Sequence, residues 1–174
     1  MLRALRIPLI VVGALVIAVA GLYSSIYAFA KPREYVSIGT PIRQDDFTYT
    51  VTSARKTSTI GNGSQQVHAR GVFFVVTVRL DNHALRVPFG WDDDIVRIVD
   101  ASGRSYHVAA SAQAVLAAQS AVDRTIPAGE HASFQIAVDA PRDIQRPAVA
   151  FENGILMGDA FDLVAYRRVA VALQ

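Results

Sequence analysis

Three consecutive carboxylates beside the chain's only tryptophan, Trp91-Asp92-Asp93-Asp94, form the cluster with the most chemical promise. Clustered carboxylate oxygens can bind calcium, but adjacent residues of an extended chain point to opposite sides, and the alternating acidic spacing of an EF-hand loop is missing. Two other readings stand beside calcium. One is a binding loop at the end of a rigid scaffold, where recognition residues tend to gather. The other is a solvated turn whose tryptophan plugs the core. Trp91, Asp92, Asp93 and Asp94 are therefore the candidate site residues.

Other chemistry finds less support. The histidines His68, His83, His107 and His131 lack metal-ligand spacing and read as solvated surface residues. There is no cysteine, which removes disulfides, thiol catalysis, cysteine-ligated zinc, a lipid-modified cysteine and a blue-copper ligand set, and Met157 is the only internal methionine. Serine, histidine and aspartate occur singly, without a G-x-S-x-G elbow or an H-E-x-x-H pair. Asn62-Gly63-Ser64 matches a glycosylation acceptor in form but reads as a flexible loop, and Gly158-Asp159-Ala160-Phe161-Asp162 lacks a phosphate-cradling pattern. These residues predict a non-enzyme with no catalytic residue, no metal and no cofactor.

The front of the chain carries the strongest signal. Ile7 to Ala30 runs 24 residues without a charge, roughly 36 Å as a helix and enough to cross a hydrocarbon core of about 30 Å. Pro8 falls in the first turn, where a helix tolerates it, and Tyr23 and Tyr27 fall near the far end, where amphipathic rings favour the interface. The prediction is a basic cytoplasmic n-region at 1–6, a transmembrane anchor at 7–30, a linker at 31–34 and a domain at 35–174. The alternative is a signal peptide cleaved after Ala28-Phe29-Ala30, which exports the same domain. Arg3 and Arg6 account for the net charge of +2; beyond them 15 basic and 15 acidic residues cancel, leaving no footprint for nucleic acid.

Past the linker the pattern changes to alternation. Phe47-Thr48-Tyr49-Thr50-Val51-Thr52 and Ala132 to Asp139 read as half-buried strands, and Val72 to Leu80, apolar on both faces at its start, as a strand covered on each side. Further strands are predicted at Val36 to Ile42, Ile95 to Asp100, Arg104 to Val108, Ala148 to Phe151 and Arg167 to Leu173. Asp100-Ala101-Ser102-Gly103 and Ile126-Pro127-Ala128-Gly129 supply turns, and Ile60 to Ser64 is the segment most biased toward disorder. Alanine-rich Ser111 to Ala121 predicts a short helical crossover on the sandwich edge. The expected fold is all-β, an immunoglobulin-like sandwich after one N-terminal transmembrane helix, with an up-and-down barrel as the alternative.

The order of motifs resembles a family of extracytoplasmic immunoglobulin-like domains from bacterial envelope proteins. Gly71, Phe73, Val76, Val78 and Asn82 match its strand signature; Asp100, Gly103 and Tyr106 match its hairpin; Pro127, Gly129 and Glu130 match the turn before Phe134 to Val138 and Pro141. The resemblance covers about residues 35 to 151 and implies architecture: a domain similar to secreted immunogenic antigens, behind a lipid anchor, signal peptide or transmembrane helix, with no general activity. This chain departs from it in lacking a lipid-attachment cysteine, and the match weakens after Gly154.

The expectation is a single-pass protein of the cell membrane, held in the bilayer by residues 7–30 with its domain outside the cytoplasm, or secreted after cleavage at Ala30. Its expected partner is an envelope protein or cell-wall polymer. The alternative is an accessory subunit of a membrane transport or secretion complex.

Overall fold

A computed structural model of the chain describes residues 13, 15–21, 34–120, 122–151 and 169–173. The chain divides into two units, Met1–Lys31 and Pro32–Gln174. In the first, residues 13 and 15–21 are helical and exposed, and the rest of the predicted span lies outside the described residues. Among the described residues no helix is long and apolar enough to cross a membrane.

The second unit is a β-sandwich. In chain order its elements are β1 (Glu34–Val36), β2 (Pro41–Gln44), β3 (Phe47–Ile60), β4 (Val67–Asn82), β5 (Phe89–Gly90), β6 (Val96–Val99), β7 (Ser105–Tyr106), α1 (Ala110–Gln119), β8 (Thr125–Ile126), β9 (His131–Ala140), β10 (Ala148–Phe151) and β11 (Val169–Ala172). One sheet has the order β1-β11-β10-β6-β7, the other β2-β3-β4-β9, and β5 pairs with β8 in a small ribbon. Two separate sheets exclude the up-and-down barrel.

Side-chain alternation builds the core. Tyr49 and Val51 of β3, Phe74, Val76, Val78 and Leu80 of β4, and Phe134, Ile136 and Val138 of β9 face Val96, Ile98, Val149 and Val171 of the other sheet. The opposite face of β4 and β9 presents Phe73, Val75 and Ala137 to Ala112 and Leu116 of α1. That second layer is why Val72 to Val76 of β4 is apolar on both faces. The helix therefore closes the edge where it was predicted and also covers a sheet face, which the sequence reading did not include. Its buried Gln113 donates from Nε2 to the Gln135 carbonyl (2.9 Å) and accepts from the Ala137 amide at Oε1 (2.9 Å), while Ala109 N–H donates to the Ala137 carbonyl (2.8 Å). These contacts satisfy the free edge of β9, a place where unpaired backbone groups otherwise invite another strand.

Four boundaries differ from the sequence reading. The predicted strand Val36 to Ile42 splits between sheets, because Gly39 adopts φ +91° in a turn where Thr40 N–H donates to the Ser37 carbonyl (3.1 Å). β3 and β4 run on to Ile60 and from Val67, and the connection is a 3-10 turn rather than a disordered loop. A Cβ on Gly61, φ +90°, would strike the Gln65 carbonyl, so this tight connection requires glycine. The predicted strand Arg104 to Val108 pairs with β6 only at Ser105 and Tyr106, after which Val108 bridges to Val138 of the other sheet. The predicted last strand is present as β11, with 167–168 outside the described residues.

The glycine and aspartate of two motifs acquire structural roles. Gly71 lies so close to the Ala140 carbonyl that a Cβ would collide with backbone, and the Arg70 and Gly71 amides donate to the Asp139 carboxylate (2.8 and 3.1 Å). The Asp100 carboxylate accepts from the Ser102 amide (2.8 Å) and hydroxyl (2.6 Å), the Arg104 amide (3.0 Å) and the Tyr106 hydroxyl (3.2 Å), with Gly103 at φ +86°.

Strand direction defines the ends of the sandwich. β1 is parallel to β11, and β10 is antiparallel to both β11 and β6, so Glu34 and Val96 begin strands at one end. Phe47 and Asn82 are paired at the matching end of the second sheet, and the Phe47–Phe89, Tyr49–Phe89 and Tyr49–Phe151 ring contacts tie the two sheets together there.

Candidate binding loop

The segment from His83 to Ile95 leaves β4, crosses that end and enters β6. Its base is the side chain of Asn82, 2% exposed, which donates to the carbonyls of Val87 (3.0 Å), Ile126 (3.1 Å) and Pro127 (3.2 Å) and accepts from the Ala84 amide (3.0 Å). The Asn82 backbone pairs with Gly129 and Glu130, so one residue joins this loop to the Pro127-Ala128-Gly129-Glu130 turn. His83 adds a backbone bond to the Asp46 carbonyl (2.7 Å) and a side-chain bond to Thr48 Oγ1 (3.0 Å). On this fixed base the tip points outward: Leu85 is 95% exposed and Val87 61%, with Arg86 and Pro88 also exposed.

The chain then turns inward. Phe89 packs on Phe47 and Tyr49, and Trp91, 4% exposed, stacks on Phe134 with centroids 4.2 Å apart and planes at 7°. The Trp91 amide donates to the Arg124 carbonyl (2.7 Å) and its indole N–H to Asp93 Oδ1 (2.8 Å); Asp93 Oδ2 in turn accepts from Arg124 Nη2 (2.7 Å). Asp92 accepts from the Asp94 amide (3.0 Å), capping a 3-10 turn over Asp93–Ile95.

The four candidate residues thus have three separate fates. Trp91 is a core residue, Asp93 is a half-buried bridge between indole and guanidinium, and Asp92 and Asp94 are exposed at the surface. The three carboxylates do not converge, and among the described residues no group of three or more histidines, aspartates or glutamates could hold a metal ion. All four histidines are exposed. What the loop offers is a fixed apolar tip next to two solvated carboxylates, an arrangement suited to contact.

Asn82 and the Leu85 to Pro88 tip have greater structural weight than the sequence reading gave them. Asn82 was visible as a motif position without a role. The tip carried a faint signal, Leu85 and Val87 standing between strands where turn residues would be expected.

Fold and loop define a class: a two-sheet β-sandwich domain with a pinned, outward-pointing loop at one end. Residues 36–162, most of the chain, match the family described as domain of unknown function DUF4352, and the chain belongs to that family. The fold is similar to that of MPT63, a secreted protein from Mycobacterium tuberculosis, at 17% identity and TM-score 0.54 over 83% of this chain and 99% of that one. It is also similar to an uncharacterized β-sandwich protein from Clostridium difficile 630, at 11% identity and TM-score 0.52 over 83% and 97%, and to a conserved hypothetical protein from Bacillus anthracis, at 17% and 0.51 over 65% and 87%. At these identities the likeness is one of fold alone. No curated protein matches the chain.

Proposed function

We propose that the chain is a membrane-anchored, extracytoplasmic immunoglobulin-like domain that acts by binding a protein or polymer of the cell envelope, and that it is not an enzyme. The observation that carries this reading is the 83–95 loop, in which a fixed base supports an exposed apolar tip and the solvated Asp92 and Asp94. Such pre-organisation lowers the ordering cost of association. The uncharged run from Ile7 to Ala30 supports export and anchoring, and the fold neighbour MPT63 is a secreted protein.

A second reading, an accessory subunit of a membrane transport or secretion complex, draws support from strand direction. Glu34 opens the domain at the same end as the loop, so a partner that meets the loop also meets the start of the domain. Photo-crosslinkers at Asp92 and Asp94, with Ser64 at the opposite end as control, address both readings in intact cells. A partner captured from 92 and 94 but not from 64 is expected. Equal capture at all three positions argues against a binding role for this loop. Co-purification of that partner with a chain lacking 35–174 would transfer the binding to the front segment and favour the accessory subunit.

A further inference from the structure

We infer that the outer edge of β3, from Thr52 to Ile60, accepts an extended acidic segment of a partner protein by strand addition. This surface is separate from the 83–95 loop, so the inference goes beyond the reading above and does not depend on it. β2 covers β3 only from Phe47 to Thr50, with one further bond from the Gly39 amide to the Val51 carbonyl (2.8 Å). From Thr52 onward one side of β3 follows β4, while the other has no backbone partner among the described residues. The far edge of the same sheet, β9, is closed by Ala109 and Gln113; this one is open.

Charge decides what the edge can take. No carboxylate occurs from Phe47 to Leu80, so the β3–β4 hairpin carries Arg55, Lys56, Arg70 and Arg79, with His68, and no acid of its own; α1 and β11 carry no charge. Arg55 and Lys56 are both exposed and adjacent on the open edge. Arg55 is in register with Val75, on the α1 face, and Lys56 with Phe74, on the core face, its Nζ 5.4 Å from the ring centroid. An added strand therefore meets a cation on each of its faces. The carboxylates that flank the hairpin are engaged or lie off this stretch. Asp81 pairs with Arg79 (2.7 Å), and Asp139 of β9, two strands in from the edge, accepts from the Arg70 and Gly71 amides. Asp45 and Asp46 occupy the β2–β3 turn at the loop end, beyond exposed Arg43 of β2, and Asp143 is matched by its neighbour Arg142, which donates to the Gly71 carbonyl (3.1 Å).

Register shifts at Val51/Ser53 and Thr57/Thr59 bracket a regular stretch from Ser53 to Thr57. Bulges and an exposed lysine are the features by which edge strands exclude neutral strands. They also exclude a second copy of this chain, because antiparallel pairing of that stretch with itself brings Arg55 and Lys56 opposite or beside the same two cations. An acidic strand is the exception, since the charges that repel other strands attract it. Backbone pairing then supplies affinity, and Arg55 and Lys56 supply selectivity.

The test uses the full chain in nonionic detergent and short fluorescent peptides of valine, threonine and glutamate, with glutamates on both faces. Anisotropy is expected to show saturable binding, weakened about tenfold by the double variant Arg55→Gln, Lys56→Gln at an unchanged melting temperature, and lost when lysine replaces glutamate in the peptide. Amide hydrogen exchange over 52–60 should slow on binding while that over 83–95 does not change. A peptide with proline at alternate positions keeps the charge but cannot donate the backbone bonds, and it should bind about tenfold more weakly. Equal binding of the proline peptide, or no slowing over 52–60, would show attraction by charge alone, as for an anionic polymer, and overturn strand addition. No binding of the acidic peptide, equal binding of the lysine peptide, or binding that the double variant leaves unchanged would also overturn the inference. So would slow exchange over 52–60 before any peptide is added, which would show the edge already taken, by this chain or by a second copy.

Discussion

At Asp100 one carboxylate holds a hairpin by accepting from Ser102, Arg104 and Tyr106. Burial pushes its pKa up, but the bonds from the Ser102 hydroxyl, the Arg104 and Ser102 amides and the Tyr106 hydroxyl outweigh that effect and leave it below the ordinary value. A lowered folded pKa means that folding favours the charged form. The stabilisation is therefore complete above the unfolded value of about 3.8 and is lost as pH falls through the lower folded value. Asp100→Asn should cost about 1 kcal/mol at neutral pH, allowing for solvent screening, and its melting temperature should converge on that of the parent as pH drops below 4. Melting curves that stay parallel down to pH 2 would contradict this. At the loop, Asn82→Ala leaves the buried Ile126 carbonyl and Ala84 amide and the half-buried Val87 and Pro127 carbonyls without that partner and should cost roughly 2–4 kcal/mol in urea denaturation, whereas Leu85→Ser should change stability by less than about 0.5 kcal/mol. A large loss from Leu85→Ser would mean that the tip is structural.

At the scale of elements, α1 has two tasks, covering the outer face of β4 and β9 and closing the edge of β9. Leu116→Ala removes a side chain packed with Phe73 and Val75 and should cost about 2–3 kcal/mol. Gln113→Met fills similar volume but leaves the Ala137 amide and Gln135 carbonyl unpaired, at a cost of about 2 kcal/mol. That variant should also self-associate in sedimentation velocity at concentrations where the parent is monodisperse, because an open edge accepts a second strand. An unchanged sedimentation profile would show that Val108 and Ala109 guard the edge without it.

At the scale of the whole molecule, the proposed tether decides where the sandwich works. Full-length protein is expected to remain in the membrane pellet after alkaline carbonate washing, and a chain beginning at Glu34 to appear in the wash. Recovery of the full-length chain in the wash with its N-terminus intact would remove the anchor, and a mature N-terminus at Lys31 would establish the secreted form.

Contiguous pattern determined a good part of this protein: the uncharged run, the missing thiols, and strands such as Ala148 to Phe151, which the sequence places to the residue. Alternation and composition are properties of neighbours in the chain, so they can be read without a fold. Tertiary structure alone decided that Val36 to Ile42 changes sheets, that α1 lies on a face, that Asp93 bridges the Trp91 indole to Arg124, and that Asn82 fastens its loop to Ile126, 44 residues along the chain. Each of these depends on which distant backbone groups meet, and that is settled when two sheets close over one core and every buried donor must find an acceptor.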